Sequence, residues 1–179
     1  MDLEGWKKLV EGKRRDAVLD AVDRFGTPEV LVRAEDLSRV VEALRDDPET
    51  ALDMLVDLVS VDYSRFPGWE GPRFGLIYHF KSTGRGHRLT LKVLLTEGKP
   101  EVGTLSSLYR NADWLEREAW DQMGIVFTGH PNLKRLLNHR EFVGHPLRKD
   151  YPITRRQALS APDPMLDQME TRLRSKGWT

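Results

Sequence analysis

"RFGLIYHFKSTGRGHRLTLKVLL", Arg73–Leu95, decides the fold. Two runs inside it, "RFGLIYHFKS" and "HRLTLKVLL", alternate apolar and polar residues, the period of a strand with one buried face. They are joined through "TGRG". Gly84-Arg85-Gly86 lacks the third glycine and the following helix that a dinucleotide-binding loop requires, so it reads as turn chemistry. The stretch is therefore a hairpin, and the rest of the first hundred residues has to supply what covers it.

Upstream, "EVLVRA" and "MLVDLVSVDY" have the β-branched content and length of two more strands. From about Lys8 to Phe25, apolar residues fall at Val10, Ala17, Val18, Ala21, Val22 and Phe25, near a helical period, with Gly26 as a stop. "EDLSRVVEALRDDPE" gives a second amphipathic helix, with Leu37, Val40, Val41 and Leu44 on one side and Pro48 past its end. Two helices and about four strands predict an α+β fold over residues 1–100. It is a two-layer sandwich with helices on one face of a mainly antiparallel sheet.

Past Pro100 the pattern changes. Residues 101–127 predict a short helix, then a longer one from about Ala112 to Met123, capped by Asn111 and ended by Gly124, then a short strand. "HPNLKRLLN" predicts a brief helix with Pro131 at its first position. "EFVGHPLRKDYPITRRQALSAPDP" has four prolines and no sustained period, so residues 128–179 are expected to form an extended arm laid on a partner. A terminal helix closes it. Asp163 is its expected cap, Pro164 its first residue, Met165, Leu166, Met169 and Leu173 its apolar stripe, and Arg172, Arg174 and Lys176 favour its dipole.

Composition narrows the function. The chain has 179 residues, 39% hydrophobic and 31% charged, and no cysteine. That excludes disulfides, thiolate zinc sites and protein-held iron–sulfur clusters, and it fits a reducing compartment. No apolar run approaches the roughly 20 residues that span a bilayer, and the N-terminus has no secretory h-region. Net charge is zero but unevenly spread. Residues 1–62 hold 16 acids against 9 Lys/Arg, a net of −7, and residues 128–156 hold 7 Lys/Arg against Glu141 and Asp150, a net of +5. A basic block of this kind suits an anionic partner surface. It carries few aromatics and no nucleic-acid-binding pattern, so no nucleic acid is expected.

Chemistry is harder to find. Gly-His-Pro occurs twice, at Gly129 and Gly144, and His130, His139 and His145 lie near Glu118, Asp121 and Asp150 in sequence. The histidines are 9 and 6 residues apart, unlike the tight pairs of a zinc site, and the plainer reading is imidazoles bonded to backbone in proline-fixed turns. Arg117 and Asp121, at i and i+4, read as a helix-surface pair. Trp114, Trp120 and Met123 read as anchors in a core or an interface. No Gly-x-Ser-x-Gly, P-loop or His-Glu-x-x-His pattern is present, and no catalytic constellation emerges.

"WLEREAWDQMGIVFTGHPNLKRLL" followed by "EFVGHPLRKDYP" resembles the signature of the C-subunit family of proton-translocating NADH:quinone oxidoreductase (NADH dehydrogenase, respiratory complex I). The match runs through Glu116, Arg117, Glu118, Asp121, Gly124, Ile125, Gly129, His130, Pro131, Leu133, Arg135, Leu137 and all of Gly144 to Pro152. It departs at Gln122, Met123, Asn132 and Asn138–Glu141. The resemblance implies a peripheral-arm subunit without catalytic residues, cofactor or metal of its own. FMN and iron–sulfur clusters would sit in partner chains, and the expected partners are the separate, hydrogenase-like large subunit at the quinone site and neighbouring iron–sulfur subunits. Membrane contact would come only through those partners, at the cytoplasmic face of the plasma membrane. It also implies an interface role for Glu116, Arg117, Glu118, Asp121, His130, Arg135, His145, Arg148, Lys149, Asp150 and Tyr151. Two alternatives stay open: the equivalent subunit of a membrane-bound [NiFe] hydrogenase or ferredoxin-linked complex, and a stand-alone histidine/carboxylate metalloprotein.

Overall fold

The structure, a computed structural model, describes residues 1–155, 157 and 164–177. Helix α1 (Leu3–Lys13) is capped by Asp2, whose carboxylate accepts from the Gly5 N–H at 2.9 Å, and it buries Trp6 and Val10. Strands β1 (Val18–Arg24) and β2 (Thr27–Val32) form a hairpin, and helix α2 (Leu37–Asp46) follows a single 3₁₀ turn, burying Leu37, Val40, Val41 and Leu44. Strands β3 (Met54–Asp62), β4 (Phe74–Lys81) and β5 (Arg88–Leu95) complete a five-stranded sheet of order β1-β2-β5-β4-β3. Every neighbouring pair in it is antiparallel except β2 and β5, which run parallel.

The hairpin read from sequence is β4–β5, in register from Phe74↔Leu95 to Lys81↔Arg88. Its alternation decides which face is core. Phe74, Leu76, Tyr78 and Phe80 of β4 and Leu89, Leu91, Val93 and Leu95 of β5 are all buried, in one cluster with Trp6, Val10 and the α2 stripe. Helix α3 (Ala112–Met123) packs along β3, adding Ala112, Ala119 and Met123 to that cluster. Short parallel strands β6 (Glu101–Gly103) and β7 (Val126–Thr128) flank α3 in sequence and pair with each other, which ties both of its ends to the domain. Helix α4 (Pro164–Ser175) lies where the terminal helix was expected, with Leu173 exposed. Its expected cap, Asp163, lies outside the described residues, as do the side chains of Met165, Leu166 and Met169.

Within the first hundred residues one sequence expectation fails outright. The helix over Lys8–Phe25 is instead the second half of α1 and the whole of β1. The chain breaks at Asp16, φ +61°, and β1 then pairs with β2 from Val18↔Val32 to Arg24↔Thr27. The helical period was the sum of two elements, each contributing apolar residues to the same core. The short helix expected near Leu105 is a single turn, in which the Leu108 and Tyr109 N–H groups both donate to the Leu105 carbonyl at 2.9 Å.

Asn111 stands at the start of α3 as expected, but its side chain does not cap the helix. Its Nδ2 donates to the Leu55 carbonyl at 2.8 Å, fastening α3 to the outer strand of the sheet. A capping carboxylate would serve a helix N-terminus as well as an amide does, whereas only the amide can donate to a carbonyl. The substitution Asn111→Asp is therefore expected to destabilise the chain by about 1–3 kcal/mol in urea unfolding, from an unpaired carbonyl facing a carboxylate. Unchanged or increased stability would restore the capping role.

Candidate functional site

Asp121, on the last turn of α3, is fully buried and organises the segment that follows β7. Its Oδ2 accepts from the backbone N–H groups of Leu136 (3.0 Å), Leu137 (2.9 Å) and Asn138 (2.9 Å). Its Oδ1 accepts from Arg135 Nη1 at 2.6 Å and from Asn138 Nδ2 at 3.0 Å. Three consecutive amides closing on one carboxylate form an anion-binding concavity built from backbone. Burial alone would push the Asp121 carboxyl up, but the Asn138, Arg135 and Leu137 donors outweigh it and hold the group well below the usual carboxylate range.

This arrangement displaces the brief helix expected over residues 130–138, where the chain forms turns and bends. The N–H groups that a helix would have paired along its own axis donate to Asp121 instead. Nor do Arg117 and Asp121 pair as a surface couple. Arg117 is buried against Trp114, its guanidinium 5.1 Å from that ring's centre, and donates to the carbonyls of Lys134 (3.2 Å) and Arg135 (3.3 Å). Trp114 itself is exposed rather than a core anchor. Arg135 runs the other way. Its Nη2 donates to the carbonyls of Phe142 (2.6 Å) and Gly144 (3.1 Å), and its guanidinium sits between the Trp120 and Phe142 rings.

The second Gly-His-Pro repeat closes on the end of α3. His145 Nδ1 lies 3.0 Å from the Asp121 carbonyl and therefore carries its proton there, and burial with Arg148 and Arg135 nearby pushes its pKa down. The Leu147 N–H donates to the Gln122 carbonyl at 3.1 Å and Arg148 Nε to the Met123 carbonyl at 2.6 Å, so the open carbonyls of the last helical turn are taken by the arm. Gly124 ends α3 at φ +73°, and a Cβ there would stand 2.5 Å from side-chain atoms of both His145 and Arg148. A glycine is required on both counts.

A second clasp sits at the β3–β4 corner. Buried Asp62 accepts from Arg73 Nη2 (2.9 Å) and Nε (3.2 Å), from the Ser64 N–H, and from the Lys149 N–H at 2.9 Å. Arg73 also pairs with Asp150 at 2.8 Å and with Glu97. Burial works against the Asp62 carboxylate, but the Arg73, Lys149 and Ser64 donors prevail and hold its pKa far down. Sequence reading missed this clasp. Asp62 and Arg73 lie eleven residues apart across a loop, and only the β3–β4 register brings them together.

Glu116 and His130 form a third group, beside the first Gly-His-Pro. His130 Nδ1 accepts from the Asn132 N–H at 3.0 Å, which leaves Nε2 as the donor to the Asp113 backbone carbonyl at 3.3 Å, with the Asp113 carboxylate 3.1 Å and the Glu116 carboxylate 3.9 Å away. Glu116 accepts from the Leu105 N–H at 2.6 Å and from the Thr104 hydroxyl. His139 instead lies edge-on to Phe142, so the three clustered histidines occupy three separate surroundings. Among the described residues no group of three or more His, Asp or Glu side chains is placed to hold a metal ion. Glu118 is exposed, and Tyr151 stacks on Phe142.

With this geometry in place, comparison with known proteins gives one answer. The family described as "Respiratory-chain NADH dehydrogenase, 30 Kd subunit" matches residues 30–157. This chain belongs to that family. The NADH-quinone oxidoreductase C-subunit of Thiobacillus denitrificans is 36% identical over 155 residues, covering 85% of this chain and 78% of the relative. That of Cupriavidus pinatubonensis is 42% identical over 158 residues with the same coverage. A trypsin-resistant fragment (1–134) of Nqo5 superposes with a TM-score of 0.59 at 28% identity, covering 72% of this chain and 98% of the fragment. A chain of the membrane-bound sulfane sulfur reductase, an archaeal respiratory membrane complex, shares the fold with a TM-score of 0.66 at 21% identity. The family is part of an oxidoreductase complex, complex I of the respiratory chain. Among the described residues no helix is long and apolar enough to cross a membrane.

The Glu116 site makes a pH prediction. Burial raises its pKa to about 7, with Asp113 adding to the shift against the Thr104 and Leu105 hydrogen bonds. A carboxyl raised above its ordinary value contributes stability that is complete below about pH 4.5 and lost as pH rises through about 7. Asp62 and Asp121 are ionised in folded and unfolded chains throughout that window, and the lowered His145 acts in the opposite direction. The difference between wild type and Glu116→Gln isolates the carboxyl. The wild-type unfolding free energy is expected to fall relative to the variant by on the order of 2 kcal/mol between pH 5 and pH 8. Parallel curves would show that Glu116 titrates normally.

Proposed function

We propose that this chain is a cofactor-free structural subunit of the peripheral arm of a proton-pumping NADH:quinone oxidoreductase. It docks on the hydrogenase-like large subunit and helps frame the quinone-reducing region, while FMN and iron–sulfur clusters in neighbouring chains carry the electrons. It is held at the cytoplasmic face of the plasma membrane through those partners and contributes no catalytic residue of its own. What supports this reading is the polarity of the segment after β7. Arg135, Asn138, His145 and Arg148 turn inward, onto Asp121 and the carbonyls of α3, and Asp150 and the Lys149 N–H reach the Asp62–Arg73 clasp. Its apolar residues Leu137, Val143, Leu147 and Ile153 turn outward, Ile153 being 98% exposed. A segment tied down on its polar side with its apolar side in solvent is prepared for a second protein surface.

Arg135, His145 and Asp150 then serve the interface by holding the backbone that presents it, a different role from direct charge pairing with the partner. The sulfane sulfur reductase chain keeps a second reading in view, the equivalent subunit of a related respiratory complex with another electron donor. The relatives at 36% and 42% identity are NADH-quinone oxidoreductase subunits, which favours the first.

The outward residues separate docking from folding. Leu147→Asp and Ile153→Asp change solvent-facing positions and are expected to shift the isolated chain by no more than about 0.5 kcal/mol. The same variants, tagged in the native host and recovered from detergent-solubilised membranes, are expected to lose co-purification of the flavin and iron–sulfur subunits. Normal recovery with both variants would place the docking surface elsewhere. Recovery of a [NiFe] hydrogenase large subunit with the wild type would move the chain to the second reading.

A further inference from the structure

The β1–β2 hairpin carries a feature that the docking segment does not explain. Its turn consists of two residues, Phe25 and Gly26, between the paired Arg24 and Thr27. Both have positive φ, +53° and +83°, the geometry of a turn that matches strand twist and favours Asn-Gly. A phenylalanine in the left-handed region is a steric outlier, since its Cβ crowds the backbone. The side chain gains nothing in return within this chain, because it is fully exposed, at 106% of its reference area. The turn is otherwise well built. Asp23 Oδ1 accepts from the Gly26 N–H at 2.7 Å, and β2 continues into the sheet through its pairing with β5. A strained, solvated aromatic on a firm support is a peg held ready for insertion.

The charge around it selects the occupant. Exposed Asp23 lies beside the tip with exposed Asp20 further along the same strand, and Arg24 is matched by Glu29 at 3.7 Å. Acidic flanks are repelled by the anionic surface of a bilayer and complement a pocket with a basic rim. We propose that Phe25 inserts into an apolar pocket, rimmed by Lys or Arg, on a neighbouring protein subunit of the assembly to which this chain belongs. This rests on the structural-subunit reading and adds a second contact, at the end of the sheet bearing the β1–β2 turn.

The test uses Phe25→Asn, which installs the residue the turn prefers while removing the peg. Phe25→Leu keeps an apolar side chain. Each tagged variant is co-expressed with untagged wild type in the native host, and the ratio of the two in the purified assembly is read by mass spectrometry. Phe25→Asn is expected to raise the melting temperature of the full chain by a few degrees, roughly 2–4 °C, yet be depleted about tenfold or more from the assembly. Phe25→Leu is expected to assemble to within about threefold of wild type. Phe25→Asn incorporating as wild type does would overturn the peg, and if Ile153→Asp still failed to assemble, the docking reading would stand without it. Phe25-dependent flotation with phosphatidylcholine vesicles containing phosphatidylglycerol would overturn it in favour of lipid. Phe25-dependent dimerisation in sedimentation would overturn it in favour of a second copy.

Discussion

A buried carboxylate with five donors holds the second half of this protein in place. Asp121 is fully buried, and a lone carboxylate there would cost several kcal/mol in desolvation. Its position on the last turn of α3 leaves the cost to be offset by whatever the following chain can bring. Arg135, Asn138 and the three amides from Leu136 to Asn138 do so. Once they are committed, the course of the chain from Gly129 to Gly144 is largely fixed, because Arg135 also takes the Phe142 and Gly144 carbonyls. His145, Leu147 and Arg148 are then brought to the open end of α3, and Lys149 and Asp150 to the β3–β4 corner.

The consequence for function is a division of labour within one segment. Irregular chain rich in proline cannot bury much surface by packing on itself. Here it is ordered by hydrogen bonds to a pre-existing sandwich, which leaves Leu137, Val143, Leu147 and Ile153 exposed for the proposed docking. Ordering the segment before association removes part of the entropy that binding would otherwise cost. The zero net charge of the chain conceals this arrangement, in which two basic side chains of the segment, Arg135 and Arg148, are spent internally on Asp121 and a carbonyl at the end of α3.

Sequence patterns revealed the parts governed by local periodicity. The β4–β5 hairpin, β3, α2, α3 and its Gly124 terminus all follow from alternation, helical spacing and glycine chemistry. What escaped was governed by partners distant in sequence. The strand β1 carried apolar residues that continued the period of α1, and nothing local marked Asp16 as the break. "HPNLKRLLN" has every local feature of a short helix, but a buried carboxylate ten residues upstream of Pro131 competes for its amides. Asn111 and Arg117 look like a cap and a surface ion, yet each donates to a carbonyl of another segment. The signature residues were visible as a group, whereas their mutual geometry was not. Their spacing in sequence is unrelated to their spacing around the end of α3.

The most direct measurement is amide hydrogen exchange on the isolated full-length chain, followed at Leu136, Leu137 and Asn138. These three N–H groups lie outside any helix or strand and have the Asp121 carboxylate as acceptor. If Asp121 organises the segment within the chain itself, they exchange with protection comparable to the last turn of α3, and Asp121→Asn releases all three together. Exchange at the rate of an unstructured peptide in the wild-type chain would show that the segment is ordered only by its partner, and would contradict the account.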